Sequence, residues 1–131
     1  VANRKKKILL VDDNDDCRGL LALCITHFGY EVFEAATARE AVDRVTALHP
    51  DLIMMDLNLP GMSGEEATTC LKANPATRAI PVLINTGFIA GTETTRVLQA
   101  GASEILHKPV DLLTLREVLY RYLPVEEGTV S

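Results

Sequence analysis

Ile8-Leu9-Leu10-Val11-Asp12-Asp13 sets four consecutive apolar residues against two acids. A run with no polar alternation reads as a strand buried on both faces, the kind found in parallel sheets. Arg4-Lys5-Lys6-Lys7 leads into it as a solvated approach. The pattern returns along the chain. Leu52-Ile53-Met54-Met55 ends in Asp56, and Pro81-Val82-Leu83-Ile84 leads to Thr86; a fifth, short strand, Glu104-Ile105-Leu106-His107, leads to Lys108 and Pro109. Glu31-Val32-Phe33-Glu34-Ala35 carries charges, which suit the edge of a sheet.

Helical patterns fill the gaps. Cys17, Leu20, Leu21, Cys24 and Phe28 recur at helical spacing, and Gly29 stops that helix. Thr37-Ala38-Arg39-Glu40 has capping-box spacing, and Ala38, Ala41, Val42, Val45 and Leu48 form one apolar stripe before Pro50. Ser63-Gly64-Glu65-Glu66 offers a second capping box ahead of Ala67, Cys70 and Leu71. A weak, Thr-rich helix is predicted from Thr92 to Ala100, anchored by Val97, Leu98 and Ala100. Asp111 caps a last helix with Leu112, Leu115, Leu119 and Tyr122 on one face, ended by Pro124. Strict alternation of apolar strands and helices predicts an α/β fold: a doubly wound parallel sheet covered on both faces. Five units are too few for a closed eightfold barrel.

Composition sets the outer limits. The chain has 131 residues, enough for one ordinary domain. Thirteen Lys+Arg against eighteen Asp+Glu give a net charge of -5. That balance argues against direct nucleic-acid binding, which needs a basic footprint. At 47% hydrophobic residues a real core is available and wholesale disorder is excluded. No apolar run approaches the roughly 20 residues of a membrane helix, and no secretory signal is visible, so no direct membrane contact is expected. The chain starts at Val1, as a processed chain or an excised fragment would. Cys17, Cys24 and Cys70 are sparse and unclustered, which suits a reducing cytoplasm and the role of small core hydrophobes.

Ligands of open parallel sheets bind outside the carboxyl ends of the strands. Here those ends deliver Asp12, Asp13, Asp56, Thr86 and Lys108. Two carboxylates about 5 Å apart repel by roughly 3 kcal/mol at an effective dielectric near 20. Three such pairs approach about 10 kcal/mol, comparable to the stability of a whole domain. One lysine cannot neutralise three acids. A hard divalent cation can, so the cluster predicts Mg²⁺ and, behind it, a phosphate. A carboxylate, a metal, a lysine and a hydroxyl are the parts for an aspartyl phosphate. Asp56 is the better nucleophile. It precedes a loop, Leu57-Asn58-Leu59-Pro60-Gly61, able to fold over the site, whereas adjacent Asp12 and Asp13 splay and suit metal coordination.

Ile8 to Asn14, Met55 to Gly64, Ile84-Asn85-Thr86-Gly87 and Lys108-Pro109 occur in order, each at the end of a strand. Together they resemble the receiver domain of two-component response regulators, over about Lys6 to Leu123. The resemblance implies a five-stranded (βα)5 flavodoxin-like sheet of strand order 2-1-3-4-5, with residues 1–124 as the receiver and 125–131 as a tail. It implies Asp56 as phosphoacceptor. Asp12 and Asp13 would hold Mg²⁺ together with Asp56 and the backbone carbonyl of Asn58. Thr86 would be the switch hydroxyl, Lys108 the phosphate contact, and Lys108–Pro109 a cis bond. The phosphoryl donor would be a sensor histidine kinase or a histidine phosphotransfer protein in the cytoplasm. The fourth and fifth helices would be the surface for a homodimer. Such a domain is not an enzyme beyond its own Mg²⁺-dependent phosphorylation and dephosphorylation.

Two positions depart from the family's usual pattern. Gly87 stands where Ala is common and loosens the loop. Ile105 stands where an aromatic often reports activation, which keeps open a degenerate receiver that binds proteins without phosphorylation. Phe88, two residues past Thr86, would hinder an attacking water. Other function classes fit less well. An aspartyl-nucleophile phosphatase wants an acid where Asn58 stands. A flavin carrier wants a hydroxyl- and glycine-rich loop where Asp12-Asp13-Asn14-Asp15-Asp16 would repel phosphate. No output module is legible after Leu123, so a stand-alone regulator and one receiver of a larger protein fit equally well.

Overall fold

The computed structural model describes residues 4–87 and 90–125. Strands β1 (Lys7–Val11), β2 (Glu31–Ala35), β3 (Leu52–Asp56), β4 (Val82–Thr86) and β5 (Glu104–His107) alternate with helices α1 (Asp15–His27), α2 (Ala38–Leu48), α3 (Gly64–Ala73), α4 (Gly91–Gln99) and α5 (Leu112–Tyr122). All neighbouring strands pair in parallel, in the order β2-β1-β3-β4-β5. β2 sits at an edge, where its exposed Glu31 and Glu34 remain solvated.

Alternation along each central strand divides the core in two. Leu9, Ile53, Met55, Val82 and Ile84 face Ala41 and Val45 of α2, Ala67 and Leu71 of α3, and Val97 of α4. Ile8, Leu10, Leu52, Met54, Leu83 and Leu106 face Ala22 and Ile25 of α1 and Leu115, Val118 and Leu119 of α5. β3 and β4 are buried at every position, as an all-apolar strand between two helical layers must be. β4 runs two residues past the apolar tetrapeptide and carries Asn85 and Thr86 into the sheet.

Side chains set the helix starts. Asn14, Thr37, Ser63 and Asp111 each accept a backbone N–H of the following turn. Ser63 and Glu66 form a complete capping box. At Thr37 only half of it forms, because Glu40 Oε1 accepts from the Ala36 N–H at 3.0 Å instead of from the cap residue. α4 has no side-chain cap, and Val97 is its one buried residue.

Several expected core positions lie outside. Cys17 and Cys70 are exposed and Cys24 is half-buried, so the cysteines are not core hydrophobes. On α1 two apolar stripes overlap, and the structure buries Ala22 and Ile25 while Leu20 and Leu23 stay exposed. In that orientation the Arg18 guanidinium donates to the Asp12 carbonyl at 2.7 Å and to Glu34 at 3.0 Å, and neighbouring Cys17 is exposed. Leu98 and Leu112 are also exposed, and Val118 takes the inward place on α5. Beyond α5, Val125 packs against the α1–α5 cluster beside Gly29. Residues 126–131 of the expected tail lie outside the described residues, as does Phe88.

Candidate functional site

The carboxyl ends of β1, β3, β4 and β5 meet in one crevice. Asp12 follows β1 directly, and its N–H extends the ladder to the Ala35 carbonyl at 3.1 Å. Its side chain is buried and its Oδ1 accepts the Asn14 N–H at 2.9 Å, which ties it to the cap of α1. Asp56 closes β3. Its Oδ1 accepts the Asn58 N–H at 3.2 Å and its Oδ2 accepts from Lys108 Nζ at 2.7 Å. Asp13 is exposed at the rim. One carboxylate oxygen from each of Asp12, Asp13 and Asp56 lies within 4.8 Å of the others. That is the spacing at which three unpaired carboxylates repel strongly, and an all-oxygen donor set of this charge suits a hard cation.

Lys108 is the one cation bonded to this cluster among the described residues. Its Nζ is 2.7 Å from Asp56 and 3.9 Å from Asp12, so it hydrogen-bonds the first and only faces the second. Partial burial pulls the ammonium pKa down. The bond to Asp56 and the charges of Asp56 and Asp12 more than offset that, and the pKa ends above the ordinary lysine value. The Lys108–Pro109 bond is cis.

The loop after Asp56 is held from below. Leu57 and Leu59 are buried, and the Leu57 N–H reaches the Asn85 carbonyl at 3.3 Å. Asn58 between them is exposed. Gly61 turns the chain at φ +78°, a backbone conformation that favours glycine. Gly64 packs against the backbone of Asp56 itself. A Cβ there would sit 2.6 Å from the Asp56 carbonyl oxygen. The start of α3 thereby presses directly on the strand end that presents the central acid.

Thr86 is fully buried, and its hydroxyl has no hydrogen-bond partner among the described residues. It continues the face of Val82 and Ile84, toward α3 and α4, whereas Asp56 continues the face of Met54, toward α1 and α5. Thr86 is thus beside the acids yet bonded to none of them. Among the described residues a Cβ at Gly87 would meet nothing within 4 Å. Ile105 is half-buried against the α2–α3–α4 cluster. Asn85 is the polar residue that sequence reasoning left without a role. It is buried and its Oδ1 is unpartnered among the described residues. The signal was an amide in an otherwise apolar strand, one position before Thr86.

The comparisons with known proteins agree with this architecture. A family model, the response regulator receiver domain, matches residues 8–120. The polar-differentiation response regulator DivK of Brucella ovis is 35% identical over 118 residues, covering 90% of this chain and 96% of that protein. The chemotaxis protein CheY4 of Vibrio cholerae superposes with a TM-score of 0.86 at 30% identity, over 92% of this chain and all of that one, 100%. The receiver domain of a sensor histidine kinase from Pseudomonas aeruginosa, solved with a magnesium ion coordinated in its active site cleft, superposes with a TM-score of 0.84 at 29% identity, over 93% and 100%. A strand order of 2-1-3-4-5, an acidic cluster at the carboxyl edge and a family match over most of its length lead to one assignment: the chain belongs to the response regulator receiver domains of two-component signal transduction.

Proposed function

We propose that this receiver accepts a phosphoryl group on Asp56 from a phosphohistidine of a sensor histidine kinase or histidine phosphotransfer protein. One observation carries the reading: a nearly buried carboxylate at a strand end, within 4.8 Å of two further acids and 2.7 Å from a lysine ammonium. In the transfer, an Asp56 oxygen forms the new bond to phosphorus while the phosphorus–nitrogen bond to the imidazole breaks. The histidine keeps that electron pair and takes up a proton. Little covalent chemistry is left to the protein, which supplies position and charge.

Each residue has a part. The Asn58 N–H holds one Asp56 oxygen and thereby orients the carboxylate. Lys108, paired with Asp56 before transfer, is placed to neutralise a phosphoryl oxygen after it. Asp12, Asp13, Asp56 and the Asn58 carbonyl would hold Mg²⁺, which fits their all-oxygen donors. When bound, such an ion neutralises the carboxylates and the charge on the phosphoryl oxygens. The Thr86 hydroxyl, without a partner among the described residues, is a donor to which a phosphoryl group in the crevice supplies an acceptor. Moving toward it would draw on β4 and the weakly anchored α4, a population shift between two arrangements. The same reading takes residues 1–124 as the receiver, 125–131 as a tail, the cytoplasm as its location, and the α4–α5 face as its dimer surface.

Intact mass after incubation with acetyl phosphate tests it, with and without Mg²⁺, on wild type and Asp56→Asn. The expected result is one added phosphoryl group that requires both Mg²⁺ and Asp56. A folded wild-type protein that takes up no phosphate from acetyl phosphate or from a phosphohistidine donor would turn the reading to a phosphorylation-independent binding module.

A further inference from the structure

On the sheet face covered by α1 and α5, four strands follow a buried apolar residue with a polar one two positions later. Leu10 leads to Asp12, Met54 to Asp56, Leu83 to Asn85, and Leu106 to Lys108. Asp12, Asp56 and Lys108 form the charged cluster. Asn85 belongs to the same row and is only 4% exposed, yet its Oδ1 meets no donor among the described residues. A buried acceptor left unpaired is costly, and a leucine in this strand would avoid the cost.

The sheet order identifies the missing donor. Asn85 is the register partner of Asp56 on one side and of Leu106 on the other. Lys108 leaves the end of β5, and its Nζ reaches Asp56 on β3. β4 lies between those strands, and Asn85 is its residue in register with Asp56. An ammonium has three N–H donors. One is bonded to Asp56, and Asp12 at 3.9 Å is too distant to take another.

We propose that Asn85 is a positioning residue for phosphoryl transfer, its carboxamide oxygen receiving the Lys108 ammonium when Asp56 loses its charge. This rests on Asp56 being the phosphoacceptor. Phosphorylation gives an acyl phosphate in which one Asp56 oxygen bridges to phosphorus and the other is an uncharged carbonyl. Lys108 then turns toward the phosphoryl oxygens and needs a second partner that does not itself change. A neutral amide serves without competing for the charge. Asn85 in this way sets the direction from which the ammonium approaches the phosphoryl group.

Two measurements test it. The first uses no phosphate. In an Asp56→Asn background the carboxylate charge is gone, and the Asn85 side-chain amide resonances are followed by ¹H–¹⁵N correlation NMR with and without Lys108→Ala. The resonances are expected to move when Lys108 is removed, and unmoved resonances overturn the proposal. The second compares the rate of Asp56 phosphorylation by acetyl phosphate and Mg²⁺ in wild type, Asn85→Leu, Lys108→Ala and the double variant. Asn85→Leu alone should slow it about tenfold, the range of a hydrogen bond to a charged group. In the Lys108→Ala background it should cost less than about twofold, because a residue acting through Lys108 has nothing left to act on. No loss in Asn85→Leu alone, or the same loss in both backgrounds, overturns the proposal. Asn85→Leu is expected to melt no lower than wild type, which separates this effect from misfolding. A wild type that takes up no phosphate at all would count against the Asp56 assignment, and the resonance measurement would still decide Asn85.

Discussion

At Thr86 the molecule buries a hydroxyl completely and gives it no partner among the described residues. An apolar side chain of the same shape would cost nothing there, and the proposed switch role gives the hydroxyl an acceptor in the phosphorylated state. Thr86→Val should leave the unfolding free energy of the unphosphorylated protein unchanged or raise it by about 1 kcal/mol, read by urea denaturation. It should still accept phosphate by mass spectrometry but lose the phosphorylation-dependent shift of α4 amide resonances. A full shift in that variant would remove Thr86 from the switch. Gly64 makes the opposite case. Its Cβ position lies 2.6 Å from the Asp56 carbonyl oxygen, and backbone cannot step aside as a flexible side chain can. Gly64→Ala should cost about 1–3 kcal/mol of stability and slow Asp56 phosphorylation, since the displaced atom belongs to the proposed phosphoacceptor. Gly87 has open space around it among the described residues, so Gly87→Ala should stay within about 0.5 kcal/mol of wild type.

Among elements, α4 is the weakly held one. It begins without a side-chain cap at Ala90, and one buried side chain, Val97, ties it to the core. An ion pair also links it to α3, with Arg96 3.0 Å from Glu65, but these side chains are 60% and 31% exposed. A pair so open to water is worth under about 1 kcal/mol. Truncating Val97 to Ala removes two buried carbons and leaves a cavity, about 2 kcal/mol. Val97→Ala should therefore destabilise the protein more than Arg96→Ala in urea denaturation. It should also speed amide hydrogen exchange in α4 ahead of α1 and α5. If α4 amides exchanged as slowly as those of α5, the helix would be too well held to act as a low-energy switch.

For the whole molecule, the pH dependence of stability has a definite sign at alkaline pH. Burial, with a smaller contribution from Tyr120, pushes the Tyr30 phenol well above its ordinary value near 10, and its hydroxyl donates to the buried Leu123 carbonyl at 2.7 Å. The unfolded chain ionises this phenol first, so its contribution is intact below about pH 10 and is lost as pH climbs beyond. Lys108, also raised, acts in the same direction, as does Tyr122 through burial and its bond to Glu104. Lys72, lowered by burial, opposes them. Three groups against one predict a net fall in the urea midpoint between about pH 10 and 12, with tyrosinate absorbance appearing late in the folded protein. The acidic cluster makes a second prediction at this scale. Mg²⁺ at about a hundredfold its dissociation constant should add about 2.7 kcal/mol to stability. Chelation should reverse the gain, and Asp13→Asn should weaken it.

The sequence alone determined the architecture and the chemistry of the edge. Three apolar tetrapeptides followed by polar residues can be buried only between two helical layers, and parallel strands, with a short fifth strand before Lys108, must then deliver Asp12, Asp56, Thr86 and Lys108 to one rim. These are local facts of pattern and period, which a linear reading resolves. The rotation of α1 was beyond it. Two apolar stripes overlap on that helix, and packing against the sheet buries Ala22 and Ile25 while Arg18 bonds Asp12 and Glu34, residues on and beyond other strands. The exposure of the cysteines followed from such choices. So did the half-formed cap at Thr37, where Glu40 found the Ala36 N–H instead. The place of Asn85 also needed the folded sheet. One amide in an apolar strand has no meaning until register sets it beside Asp56 and strand order puts β4 between Asp56 and the strand that leads to Lys108. Partners distant in sequence are decided by packing and register, and these exist only once the chain has folded.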